Sequence, residues 1–146
     1  QGFINYEVSA WRKEKPSAHN LNYWQFGDYL AIGAGAHGKV TQADGVYRFQ
    51  KTRLPKDYLA KVPAENLQFK RISNDEMPFE FMMNALRLNQ GVQAEFYASR
   101  TGLNLNQLDE ILASLRQRQL MLNDDTQLAC TEKGHIFLNS VLEEFL

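Results

Sequence analysis

Four side chains within six residues, His19, Asn20, Tyr23 and Trp24, hold the densest chemistry in the sequence. An imidazole can ligate a metal or move a proton near neutral pH. Tyr23 and Trp24 offer flat faces with polar tips. Together they could hold a porphyrin or another flat ligand, with His19 as the axial imidazole and the rings against its face. The same residues would equally serve a fold, with His19 and Asn20 capping a turn and Tyr23 and Trp24 packed into a core. Spacing leaves both readings open. Just downstream, Leu30-Ala31-Ile32 runs into Gly33-Ala34-Gly35-Ala36-His37-Gly38. Alternating glycines let backbone approach a ligand or take positive φ, so this segment reads as a short buried strand ending in a tight loop that faces a ligand.

Other chemistry is poorly supplied. The single cysteine, Cys130, rules out an intramolecular disulfide and a cysteine-ligated zinc or iron–sulfur site within this chain. Such cysteine poverty is compatible with a reducing cytoplasm. There is no glycine-rich loop ending in Lys-Ser/Thr, and Gly33-Ala34-Gly35 lacks the third glycine of a dinucleotide fingerprint. No Ser-His-Asp or Cys-His arrangement can be assembled from sequence order. His37 lacks a second ligand at metal-site spacing, and His135 reads as a surface residue in the first turn of the last helix. Met77, Met82, Met83 and Met121 fall among core positions and read as packing.

These residues need elements to hold them. At 146 residues, with 44% hydrophobic and 23% charged, the chain suits one ordinary domain or two small ones of a soluble globular protein. Its longest apolar stretch is far too short to span a bilayer, and no secretory signal opens it. Phe3 to Ala10 reads as a strand, and Lys39-Val40-Thr41-Gln42 and Val46-Tyr47-Arg48-Phe49-Gln50 flank a hairpin turn at Asp44-Gly45. A short helix is expected from Pro55 through about Val62, followed by a connector over Pro63–Ile72 with an extended piece around Phe69. From Ser73 or Asn74, possible caps, helices follow over Phe79–Leu88, Gln93–Arg100 and Leu105–Gln119. A small hairpin over Leu120–Cys130 and a final helix capped by Thr131 complete the chain. Residues 1–74 carry eleven Lys/Arg against six Asp/Glu, while 75–146 carry five against eleven. That asymmetry supports a boundary, giving 1–73 and 74–146 as domains. Helix, helix, helix, hairpin, helix is a winged-helix order. DNA binding is nonetheless disfavoured, because Asp109 and Glu110 open the third helix and the module is acidic.

The His19-Asn20-Leu21-Asn22-Tyr23-Trp24 motif resembles one family, and so do Tyr6-Glu7-Val8-Ser9 and Gly27-Asp28-Tyr29-Leu30-Ala31-Ile32-Gly33-Ala34-Gly35-Ala36-His37-Gly38. It is the oxygen-independent coproporphyrinogen III oxidase-like radical SAM family, in its HemW branch. Leu128-Ala129-Cys130-Thr131-Glu132-Lys133-Gly134 and Phe137-Leu138-Asn139-Ser140 resemble that family's C-terminal module. The HNxxYW motif separates this branch from the porphyrinogen oxidases proper. The resemblance implies an α+β chain, with terminal strands and a β-hairpin from an incomplete (β/α) radical SAM barrel over 1–73. A winged-helix-like C-terminal domain follows over 74–146.

What the resemblance implies for function follows the motif. Its histidine is tied to haem retention, so His19 would be the haem iron ligand, with Asn20, Tyr23 and Trp24 completing a haem site. Gly33, Gly35, Ala36 and His37 would stand near S-adenosylmethionine. That cofactor and a [4Fe–4S] cluster are implied for the full-length parent, whose Cys-x3-Cys-x2-Cys ligands are absent from this sequence. Many relatives carry a cysteine before the His-Asn pair and another in the glycine loop; Ala18 and Ala34 stand there here. The opening Gln1-Gly2-Phe3, without methionine, reads as the start of a C-terminal piece whose partner is the missing N-terminal barrel. No catalysis is expected of this chain alone. The expected function is a cytoplasmic haem chaperone that meets membranes only through a recipient protein. The alternatives are an oxygen-independent coproporphyrinogen III oxidase and an acidic winged-helix docking module without chemistry.

Overall fold

The structure, a computed structural model, describes residues 2–60 and 67–146. It forms two compact units, one of Gly27–Ser73 and one of Gln1–Phe26 with Asn74–Leu146. Residues 27–73 carry eight Lys/Arg against four Asp/Glu, so the basic surplus is concentrated in that unit.

The Gly27–Ser73 unit is a three-stranded antiparallel sheet. Strand β4 (Gly45–Lys51) lies between β3 (His37–Gln42) and β5 (Leu67–Arg71); β1 and β2 belong to the other unit. The predicted hairpin is present, and Gln42 pairs with Gly45 across a two-residue Ala43-Asp44 turn. Gly38 pairs with Phe49, whose ring lies flat over it; a Cβ at Gly38 would sit 2.0 Å from Phe49 Cζ. The extended piece around Phe69 is β5, which leaves Phe69 half-exposed on a sheet edge. Helix α2 (Pro55–Ala60) starts at the expected proline. Its expected continuation through Val62, and Pro63 to Asn66 of the connector, lie outside the described residues.

Leu30-Ala31-Ile32 is not a buried strand. Leu30 is 80% and Ile32 93% exposed. The sheet ends one residue earlier, where the Tyr29 and Lys39 backbones exchange two hydrogen bonds of 2.9 and 3.0 Å. A three-residue apolar run without period cannot declare whether another strand covers it.

An ion pair between a buried lysine and an exposed aspartate closes this sheet. Lys39 is 1% exposed, and its Nζ donates to Asp28 Oδ1 at 2.8 Å. Thr41 adds its N–H to Oδ2 and its hydroxyl to Oδ1, both at 2.8 Å. Partial burial alone would raise the Asp28 pKa, but the hydrogen bonds from Lys39 and Thr41 outweigh it and hold the group below the ordinary 3.8. A depressed folded-state pKa means stabilisation that is complete above the unfolded value and lost as pH falls through the folded one. Thermal unfolding of this unit should therefore lose stability between about pH 5 and about pH 2, and Asp28→Asn should flatten that part of the curve.

In the other unit, β1 (Ile4–Glu7) turns into β2 (Ala10–Arg12) where a single strand was expected. The cause is Glu7, whose Oε1 accepts the Ser9 N–H at 3.0 Å and the Ser9 hydroxyl at 2.7 Å, fixing a turn at Val8-Ser9. The far edge of β1 runs along residues 87–89, with Val8 N–H donating to Arg87 O and Asn89 N–H to Tyr6 O. Helix α1 (Ala18–Trp24) is capped by Ser17, whose Oγ accepts the Asn20 N–H. It ends at Phe26 in the left-handed region, φ +58. That conformation is uncommon for a bulky side chain. Here the Phe26 ring is buried and meets Phe81 edge-on at 5.4 Å, so packing holds the backbone where propensity would not.

Helix α3 (Met77–Ala85) buries Phe81, Met82 and Ala85. Its N-cap is Glu76, without a side-chain cap, rather than Ser73 or Asn74; Pro78 occupies the first turn. After β6 (Val92–Gln93), α4 (Glu95–Thr101) places Tyr97 against Phe81 at 5.2 Å. A 3₁₀ turn (Leu105–Leu108) leads into α5 (Asp109–Gln117), which buries Leu112 and Leu115. The expected hairpin over Leu120–Cys130 survives as a bridge between Met121 and Cys130, while β7 (Gln127–Leu128) pairs with β6. Thr131 caps the next helix as predicted, its hydroxyl oxygen accepting the Gly134 N–H at 3.0 Å. That helix breaks at Phe137 into α6 (Glu132–Ile136) and α7 (Leu138–Glu143).

Candidate functional site

Helix α1 sorts the HNxxYW motif by face. Residues four apart on a helix lie one above the other. His19 and Tyr23 form an outward pair, with the imidazole meeting the phenol edge-on at 4.6 Å and 88° between planes. His19 is exposed and Tyr23 half-buried, and no hydrogen bond of the His19 ring is found among the described residues. Asn20 and Trp24 form the inward pair. Asn20 Nδ2 donates to Tyr6 Oη at 3.0 Å. Trp24 lies beneath the Arg87 guanidinium, 4.4 Å from the ring centroid. Neither core packing of both rings nor a His-Asn cap describes this helix. Ser17 does the capping, Asn20 and Trp24 anchor, and His19 is exposed.

The glycine loop belongs to the other unit. Gly33 and Gly35 have φ of +108 and +71, so the positive φ expected of alternating glycines is present. Its amides serve its own fold. Gly35 N–H donates to Thr52 O at 2.9 Å and Ala36 N–H to Gly33 O at 3.3 Å. Arg53 lies alongside Gly35. His37 is exposed at the start of β3, opposite Gln50. The structure thus brings His19, Asn20, Tyr23 and Trp24 together on one helix, and groups Gly33, Gly35, Ala36 and His37 separately.

Several features of this region escaped sequence reasoning. Glu7 is 1% exposed and accepts from Ser9 and, at 3.4 Å, from Arg87 Nη2. A charged residue inside the apolar run Ala85-Leu86-Arg87-Leu88 was the available signal for Arg87. Beside α1, a cavity of about 380 Å³ is lined by Tyr6, Arg12, Lys15, Pro16, Leu21 and Leu88 among others. A second, of about 520 Å³, shares Asn5 and Asn89 with it and is closed by α6 and α7. His135 lines that second cavity and is half-buried beside the Asn89 backbone, so it is not a simple surface residue. Desolvation lowers its pKa, which favours the neutral imidazole.

Among the described residues no group of three or more His, Cys, Asp or Glu side chains could hold an ion. Cys130 is buried, and burial pushes its thiol up to about 12. No described helix is long and apolar enough to cross a membrane.

Residues 72–137 match the HemN C-terminal domain family. Over 99% of its length, the chain is 43% identical to "Heme chaperone HemW" of Haemophilus influenzae and 41% identical to the protein of that name in Escherichia coli. The chain is thus similar, over nearly all of its length, to proteins named as HemW haem chaperones, and carries a match to the HemN C-terminal domain. It spans 38% of the length of each of these two relatives. A solved structure, that of the Escherichia coli coproporphyrinogen III oxidase HemN, described as a radical SAM enzyme, superposes with a TM-score of 0.63 at 14% identity. That match covers 99% of this chain and 37% of HemN. It shows a shared mixed α/β fold. In this chain, HNxxYW is the segment that forms α1.

Proposed function

We propose that this chain is the haem-holding part of a haem chaperone, a protein that takes up haem and passes it to a recipient protein. One observation carries the reading: on α1 the His19 imidazole points outward with Tyr23 edge-on beside it, while Asn20 and Trp24 anchor the opposite side. The curated relatives named as haem chaperones support the identity of the ligand.

In this reading haem is cargo. His19 supplies an axial nitrogen, Tyr23 lies against the porphyrin, and Asn20 and Trp24 act by orienting the helix. An exposed imidazole suits transfer, since a ligand held from one side can be handed on without opening a closed pocket. Cluster chemistry does not fit these residues, because Cys130 is a buried thiol held protonated. The [4Fe–4S] cluster and S-adenosylmethionine therefore belong, in this proposal, to the remaining length that the relatives have. Gly33, Gly35, Ala36 and His37 are proposed to face that part. We likewise assign 1–73 to the closing strands of a radical SAM barrel and 74–146 to a winged-helix-like module. The module would dock rather than bind nucleic acid, since α5 opens on Asp109 and Glu110. A cytoplasmic setting and a haem-recipient partner complete the proposal.

The test is a haem titration of the full-length protein. Wild type should develop the Soret band of imidazole-ligated haem, and His19→Ala should lose that signature and bind at least about tenfold more weakly. An unchanged band and affinity would remove His19 as ligand. Turnover of coproporphyrinogen III by the reconstituted protein would favour a porphyrinogen oxidase instead.

A further inference from the structure

The inward face of α1 is held by a residue outside the HNxxYW motif. Arg87 follows α3 by two positions, and both α1 and the β1–β2 turn converge on it. Its guanidinium stacks over the Trp24 indole at 4.4 Å. Its Nη2 reaches Glu7 Oε2 at 3.4 Å and Ser9 Oγ at 3.3 Å, in the turn between β1 and β2. Its carbonyl accepts the Val8 N–H at 3.0 Å, so the backbone at this point is itself tied to β1. Arginine suits the position because its planar, permanently charged group can stack on an aromatic face and hydrogen-bond at its edge at the same time. Lysine offers only a point charge. The carboxylate it meets is 1% exposed, while the Arg87 side chain keeps 31% of its surface in solvent.

The stack also carries an energetic signature. Trp24 Nε1 and Arg87 Nε are both buried without a hydrogen-bond partner among the described residues. Unsatisfied donors are costly to bury. The pair is therefore kept by the stack and by the Nη2 bonds to Glu7 and Ser9, with neither Nε1 nor Nε contributing a hydrogen bond among the described residues. Trp24 lies at the last position of α1, and His19 lies five residues earlier on the same short helix. Helix α1 has seven residues and no fully buried side chain, and the Asn20–Tyr6 bond is a second tie on the same inward face.

We propose that Arg87 is a positioning residue for the HNxxYW helix, clamping Trp24 against the Glu7–Ser9 turn so that His19 and Tyr23 face outward. The ligand that this orientation serves rests on the haem reading above; the clamp does not.

Two readouts on the full-length protein test it. Amide hydrogen exchange across residues 18–25 should quicken in Arg87→Ala, and in Glu7→Gln to a lesser degree, while Arg87→Lys recovers part of the protection. Haem affinity should fall about tenfold in Arg87→Ala, with a shifted Soret band. Combining Arg87→Ala with Trp24→Leu should add little to either single change, because both remove the same contact. Unchanged exchange in α1 for folded Arg87→Lys and Glu7→Gln, or additive effects in the double variant, would overturn the clamp. If wild type takes up no haem, the ligand reading fails, and exchange alone then supports or overturns the clamp.

Discussion

Phe81→Ala should remove about 3–5 kcal/mol of stability, most of what a domain of this size possesses. Phe81 is 0% exposed and sits between two other rings, Phe26 at 5.4 Å and Tyr97 at 5.2 Å, both edge-on. Truncation loses the transfer free energy of a phenyl group, opens a cavity among Phe26, Tyr97 and their neighbours, and forfeits two aromatic contacts. It also releases Phe26 from the reason it tolerates φ +58. The end of α1 should therefore loosen more than the rest of the unit. Denaturant unfolding of the full-length protein checks the magnitude, and amide exchange at residues 24–26 checks the location. A loss below about 1 kcal/mol would mean that the three rings are not the core that they form on geometry.

The second large effect is expected at Gly91. Its φ is +63, and a Cβ there would lie 2.0 Å from the Leu128 carbonyl oxygen and 2.5 Å from Ala129 Cβ. Gly91→Ala thus meets two independent costs. A left-handed conformation disfavours any side chain by about 1–2 kcal/mol, and forcing an atom against a packed backbone adds about 1–3 kcal/mol. Because Val92 follows directly and pairs with Leu128, the clash cannot be relieved without opening the β6–β7 ladder. Thermal unfolding should shift down by well over the change produced by Gly102→Ala. Gly102 also has positive φ, but nothing lies within 4 Å of its would-be Cβ. Equal shifts for the two would show that conformation rather than space is the cost.

Haem titration of His19→Ala and exchange in Arg87→Ala probe the site rather than the core. They separate two roles that a motif written as one string conceals. His19 is to be judged by what it binds, and Trp24 by what it holds still.

Much was legible without coordinates. The Asp44-Gly45 hairpin followed from local turn chemistry, and the Thr131 cap from a hydroxyl placed before a helical run; both depend on neighbours a few residues away. The family resemblance was legible too, because HNxxYW and the glycine loop are contiguous strings whose residue types do not depend on knowing their contacts. Contacts across long separations were not. Nothing local reveals that Glu7 is buried beneath Arg87, eighty positions away, or that Arg87 covers Trp24. Nor could an apolar triplet such as Leu30-Ala31-Ile32 declare its exposure, since burial is a property of what lies opposite. The sequence alone thus determined which residues stand together on one short helix. Only the tertiary structure decided which of them turn outward, because a seven-residue helix takes its rotation from the distant side chains that grip it.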